Sequence, residues 1–192
     1  AVFVDKSLSY AHAPGADLTG LDPDYYERCL LMEGLANCAN WGLGCNGIYV
    51  GEVLHRRKIP PAFERTRLYQ RLLDPNPGCA YHATYVETTD SLQVQWTANA
   101  ALAFLNAGSG FVHHYEHSNP YEEGGSSGGY GCAATSGGAL GREYIDQLSN
   151  KPNWSIVYST GAGVNAFDYE SVSEHWVLNP NGGAAAYVGK TR

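Results

Sequence analysis

Short β-rich apolar runs alternate with helix-length patterns along almost all of this 192-residue chain, and that alternation limits the fold more than any single motif does. Ala1–Val4 reads as a short buried strand. Pro23–Ala39 reads as a helix, with Asp22 as N-cap, Pro23 in the first helical position and Leu30, Leu31 and Leu35 on an apolar face. Gly47–Leu54 has the look of a strand, Pro61–Leu73 of a helix and Ala80–Glu87 of an extended segment. Leu92–Leu105 is a predicted helix, closed by Asn106-Ala107-Gly108. A strand at Phe111–Tyr115 follows. Gly124–Gly141 is Gly/Ser-rich and too long for a mere connector, hence functional or mobile. Leu140–Leu148 (helix), Ile156–Ser159 (strand), Phe167–Leu178 (helix), a turn at Asn179–Gly183 and a strand at Ala184–Val188 complete the series. Such a series predicts an α/β fold with a mainly parallel sheet and helices on both faces, as one domain over 1–192.

Charge narrows the partners. The net charge is −7, and the one basic run is Arg56-Arg57-Lys58. Nucleic acid and anionic membranes are therefore poor partners, whereas a cationic substrate suits the field. No apolar run approaches the ~20 residues that span a bilayer. The chain opens at Ala1 without Met or a signal peptide, which predicts a mature or trimmed product. The five cysteines form no CxxC pair, which argues against a thiolate zinc site. Cys38 and Cys45 flank a Trp-Gly loop, where a disulfide and two buried thiols are both open readings. Richness in Tyr, Gly and Asn with little Lys leans toward a secreted or cell-surface protein.

Ligands of an open parallel sheet bind beyond the carboxyl ends of its strands. Two such ends stand out: Phe111-Val112-His113-His114-Tyr115-Glu116-His117-Ser118 and Ile156-Val157-Tyr158-Ser159-Thr160-Gly161-Ala162-Gly163. A right-handed crossover between them would set the strands parallel and adjacent, with His117 and Ala162 on one rim.

The chain resembles the catalytic half-domain of gingipain-type cysteine peptidases, which have a caspase-like fold. The resemblance is carried by Leu105-Asn106-Ala107-Gly108-Ser109-Gly110-Phe111-Val112, by the strand ending at Ala162, and by Phe167-Asp168, Glu174-His175-Trp176 and Asn181-Gly182-Gly183-Ala184. It implies a cysteine endopeptidase whose catalytic His falls on His117 and whose Cys falls on Ala162. A thiolate there would attack the scissile carbonyl while the imidazole protonates the leaving amine. Backbone N–H groups near Ala162 and Ser118 would hold the oxyanion. Alanine has no nucleophilic atom. Either a cysteine has been replaced at this position or the chain is a natural pseudo-peptidase that binds peptides or serves as a scaffold. Glu116 and Ser118 also flank the histidine where the family has glycines.

The resemblance further implies cleavage after Arg or Lys. It maps the pocket carboxylate onto Asp24, which the sequence alone assigns equally well to a helix cap with Asp22. Asp5, at the end of the presumed first strand, is a candidate to orient His117 or a plain polar strand end. No cofactor is implied, although a structural calcium ion is compatible. The expected partners are a peptide or protein substrate and a second chain, cut from the same precursor just after Arg192, that would complete the domain.

Two other chemistries present themselves. His113, His114, Glu116 and His117 spell H-x-x-E-H, an inverted zinc-peptidase order, but that chemistry needs a helix and this segment is β-like. Cys132 sits in the glycine-rich loop without a strand to aim it and reads as an ordinary loop thiol. The Gly124–Gly129 run lacks the G-x-x-x-x-G-K-[ST] order of a phosphate loop.

Overall fold

A computed structural model describes residues 2–12, 15–34, 47–69, 93–124 and 140–191. The expectations for 80–87, for Cys38 and Cys45, and for Cys132 lie outside these residues. The chain enters as helix α1 (Val2–Tyr10) and passes through a 3-10 turn (Tyr25–Glu27) into strand β1 (Arg28–Glu33). Helix α2 (Gly47–Val53) runs on as a π-helical turn (Leu54–Lys58) and leads to β2 (Glu64–Tyr69). Then come β3 (Gln93–Gln95), α3 (Ala98–Asn106) and β4 (Phe111–Tyr115). Three two-residue strands follow, β5 (Ser118–Asn119), β6 (Glu122–Glu123) and β7 (Leu140–Gly141). A short helix α4 (Arg142–Ile145), β8 (Ser155–Ser159), α5 (Val172–Leu178) and β9 (Ala184–Val188) complete the described elements.

Six strands form one sheet in the order β3-β2-β1-β4-β8-β9, and every neighbouring pair is parallel. β1 lies inside the sheet. The chain winds outward from it through β2 to β3, then returns to β4 and winds outward the other way. The order thus reverses between β1 and β4, where an open sheet leaves a crevice at its carboxyl edge. β5, β6 and β7 make a small antiparallel sheet over that edge. Leu30 and Met32 pack with Val112, Val157, Leu105 and Trp176 in the larger core, while Leu31 packs with Ile48 and Tyr69 in a smaller one. Alternate residues of one strand therefore feed two cores, and helices cover both faces. The expected α/β class is the observed one.

Four expected elements in the first third are inverted. Ala1–Val4 is not a strand: Val2–Tyr10 is helical, and the helix carries Lys6 inward, where Nζ donates to the carbonyls of Gly182 (2.8 Å), Trp176 (3.0 Å) and Ala184 (3.4 Å). The expected helix from Pro23 is strand β1 instead. Its Asp22 signal is spent on the preceding turn, where Asp22 Oδ1 accepts the Asp24 N–H. The run Cys29-Leu30-Leu31-Met32 is buried on both faces, and a central parallel strand reads as one continuous apolar block without alternation. Gly47–Leu54, expected as a strand, is helix α2. Gly51 lets it sit flush on β1: a Cβ there would come 2.6 Å from Glu33 Cγ. Tertiary packing overrides the β-propensity of Ile48-Tyr49-Val50. Pro61–Leu73, expected as a helix, gives strand β2. Its Arg67 is buried and paired with Glu52 at 2.7 Å across from α2.

Candidate active site

β4 and β8 are adjacent, with Phe111 opposite Ile156, Val112 opposite Val157, His113 opposite Tyr158 and His114 opposite Ser159. The constant offset is 45 residues. His117 and Ala162 stand the same number of residues apart, one just past each strand. The pairing also continues beyond the ladder. The Thr160 N–H donates to the His114 carbonyl at 3.0 Å. Gly161 lies so close to Ser118 that a Cβ on it would overlap that side chain, and a Cβ on Gly163 would lie 3.3 Å from Pro120. Gly163 has φ +71°, which side-chain-bearing residues rarely adopt. The segments bearing His117 and Ala162 thus run side by side on the carboxyl edge, and both residues are exposed.

Two buried polar clusters lie under this rim, one on each face of the sheet, because His113 and His114 point to opposite sides of β4. On one face His113 Nδ1 meets Glu33 Oε1 at 2.7 Å, and the Tyr158 ring stacks on the imidazole at 5.7 Å. Burial holds Glu33 well above the usual carboxyl range and pulls His113 down to about 4. On the other face His114 Nδ1 meets Ser159 Oγ at 2.8 Å, and the Gly161 N–H reaches the same oxygen at 3.3 Å. The Ser159 hydroxyl bonds in turn to Glu123. Glu123 also accepts from Tyr187 Oη and, at 3.3 Å, from Trp176 Nε1. Burial and the neighbouring His113 lower His114 to about 3, and burial raises Glu123 to about 7 against the pull of its donors. Glu116, next to His117, is 7% exposed with its carboxyl pressed against Gly34. Burial and, second, repulsion from Glu33 push it up to about 8.

Two expected site residues stand elsewhere. Asp24 is exposed in the turn before β1, at the amino ends of the strands, so it cannot floor a pocket beneath His117. Asp5 lies on α1 in a cleft with Lys6, Lys151, Trp154 and Pro180, again at the amino end. The length of β8 separates that cleft from the rim by roughly 13 Å. The carboxylate at the end of the first strand is Glu33, and it meets His113 instead of His117. Ser118 is half-buried at the rim, against Gly161.

The H-x-x-E-H order falls on a strand and its end, which turns His113 and His114 to opposite faces. Among the described residues no group of three or more His, Cys, Asp or Glu side chains is arranged to hold a metal ion. Sequence reasoning missed Glu33, Glu123 and Ser159 as parts of this edge. A charged residue closing the apolar run Cys29–Met32 is the signal that could have found Glu33. Glu116 announced itself by standing where a glycine was expected.

Comparison with known proteins agrees with this architecture. The family model for peptidase family C25 matches residues 2–192. One similar solved structure, described as that of a protease, shares 20% identity with a TM-score of 0.58, covering 98% of this chain and 33% of its own. The Arg-specific cysteine proteinase gingipain R shares 12% identity at a TM-score of 0.58, over 97% of this chain and 35% of its own. The complex of Porphyromonas gingivalis RgpB pro- and mature domains gives 12% and 0.58, over 99% and 37%. The chain thus spans about a third of the length of these structures, and at such identities the likeness speaks for the fold. No curated protein matches the sequence. With the family model matching from Val2 to the last residue and a parallel sheet that superposes on gingipain, the chain belongs to peptidase family C25.

Proposed function

We propose that this chain carries the catalytic frame of a cysteine endopeptidase in which His117 is the acid–base and position 162 is the nucleophile's place, silent here because it holds alanine. The observation that carries this reading is the common 45-residue offset of the β4–β8 ladder and of His117–Ala162, with Gly161 packed on Ser118. A thiol at 162 would stand on the segment facing the imidazole, both exposed to a peptide lying across the rim. The thiolate would attack the scissile carbonyl, and His117 would hand its proton to the departing amine. Backbone N–H groups of the 161–163 and 117–118 segments would receive the oxyanion.

A basic residue before the scissile bond suits the net charge of −7 and the family, with a carboxylate other than Asp24 as its partner. A site of action outside the cell fits the same family and the lysine-poor composition. Among the described residues no helix is long and apolar enough to cross a membrane. The second reading, a natural pseudo-peptidase that binds peptides without cutting them, is favoured by Ala162 itself.

Ala162→Cys separates the two. Cleavage of fluorogenic peptides by that variant, abolished by adding His117→Ala, supports the peptidase frame. The gain should be large, since loss of a nucleophile typically costs on the order of 10⁶ in kcat. An Ala162→Cys protein that is inert on Arg, Lys and neutral peptides alike refutes it.

A further inference from the structure

The two segments that bear His117 and Ala162 continue into a ledge of exposed aromatic rings. Tyr121, four residues past His117, is 46% exposed; Phe167 and Tyr169, five and seven past Ala162, are 83% and 48% exposed. Single exposed aromatics are ordinary, but Tyr121 and Tyr169 meet from the two loops of one rim, and Phe167 stands two residues before Tyr169. Tyr121 and Tyr169 touch edge to face, ring centres 6.0 Å apart.

The ledge is also held in place. The Val172 N–H donates to the Pro120 carbonyl at 2.6 Å, and the Arg142 N–H to the Tyr121 carbonyl at 3.2 Å. The Arg142 guanidinium lies 4.8 Å over the Tyr121 ring, and its NH1 donates to the Glu170 carbonyl at 3.0 Å and to Glu170 Oε2 at 3.3 Å. The Tyr121 ring, held in this way before binding, loses little freedom when a ligand arrives.

We propose that Tyr121, Phe167 and Tyr169 form a subsite for a large apolar side chain of a bound peptide, within a few residues of the rim. The proposal rests on the peptide-binding reading above. Reach supports the placement. Four residues of chain put Tyr121 no more than about 14 Å from His117, and an extended peptide covers that in roughly four residues. Charge selects the ligand further. Glu170 beside the rings is already paired with Arg142, but the chain as a whole carries a net charge of −7, so the preferred peptide is apolar at this position and basic in its flanks.

The test uses the protein with Ala162 in place. Two fluorescein-labelled basic peptides, identical except for Phe or Ala at one position, are titrated by anisotropy. The Phe peptide should bind about tenfold tighter, and Phe167→Ala with Tyr169→Ser should erase that difference while leaving the Ala peptide unchanged. Equal binding of both peptides, or a preference that survives the double variant, overturns the subsite. Sedimentation of the same proteins tests the rival occupant: self-association lost in the double variant would assign the ledge to a second copy and overturn the proposal. Turnover by Ala162→Cys separates the two readings. Cleavage indifferent to Phe and to the ledge variants removes the subsite and leaves the peptidase. Phe-dependent binding without cleavage does the reverse, and neither binding nor cleavage removes both.

Discussion

Glu116→Gln should stabilise the protein at neutral pH, and by an amount that depends on pH. Glu116 is buried beside the rim with a folded pKa pushed from 4.5 up to about 8. An acid raised in this way holds its proton more tightly when folded. Its contribution is intact below the unfolded value, shrinks as pH rises, and is fully lost above the folded value. Between pH 4.5 and 8 the unfolded chain has released a proton that the folded chain keeps, so stability falls by about 1.4 kcal/mol per pH unit from this group alone. Gln copies the neutral acid and has no proton to lose. The variant should therefore match the parent at pH 4, exceed it by about 3 kcal/mol at pH 7, and by about 4 kcal/mol at pH 8. Urea unfolding followed by tryptophan fluorescence at pH 4, 6, 7 and 8 measures the difference. A constant difference across that range would show that Glu116 titrates normally in the fold. A variant less stable than the parent at pH 7 would show that the carboxylate is ionised and held by partners.

The parent protein should itself lose stability from pH 6.5 to 8. The depressed His113 and His114 add stability only up to their unfolded value near 6.5, while the raised Glu33 and Glu116 go on removing it, joined by Glu123 up to about 7; above that the lowered Lys6 gives back part of the loss, so the fall is steepest below pH 7, and a melting temperature that rises from pH 6.5 to 7 contradicts the assigned directions. In an active Ala162→Cys background, Asp24→Asn and Asp5→Ala should leave kcat/KM within about twofold, because both residues sit at the amino ends of the strands; a loss of tenfold or more in either would return that residue to the site. Gly161→Ala should cost at least about tenfold in the same background with the fold intact by circular dichroism, since its Cβ overlaps Ser118 and drives the two rim segments apart; full activity would mean the rim tolerates that displacement.

Fold class survived the inversion of individual elements because it depends on alternation, not on identity. Exchanging strand and helix over the first seventy residues leaves a βα series, and a βα series closes into a parallel sheet either way. What failed was the choice between helix and strand for short apolar runs. Cys29–Met32 is buried on both faces, so it shows no period of two. Gly47–Val53 packs on the sheet as a helix, with Gly47 and Gly51 allowing the close approach; a Cβ on Gly47 would overlap the Tyr115 carbonyl, a contact no local pattern announces. From Ala98 onward the expectations fare better, because the punctuation is local. Thr97 Oγ1 accepts the Ala100 N–H to start α3, and Gly108 with φ +87° ends it.

The same distinction explains which parts of the rim were legible. His117 and Ala162 follow strands read correctly, and two adjacent parallel strands bring their first loop residues together whatever the sequence between them does. The two carboxylates were lost together, and for one cause. Both expectations depend on a first strand at Ala1–Val4, which puts Asp5 at its carboxyl end and, by the family resemblance, Asp24 at the start of the helix beyond it. When the first sheet strand is Arg28–Glu33, both aspartates fall to the amino side, and the residue that closes the strand is Glu33, buried against His113. The acids under the rim are thus reached by correcting one element, whereas the cluster of His114, Ser159, Glu123, Trp176 and Tyr187 draws on β4, β6, β8, α5 and β9 at once. Glu123 and His114 meet through Ser159 because a two-residue strand folds back over the sheet edge. No spacing rule within any one of those elements contains that meeting.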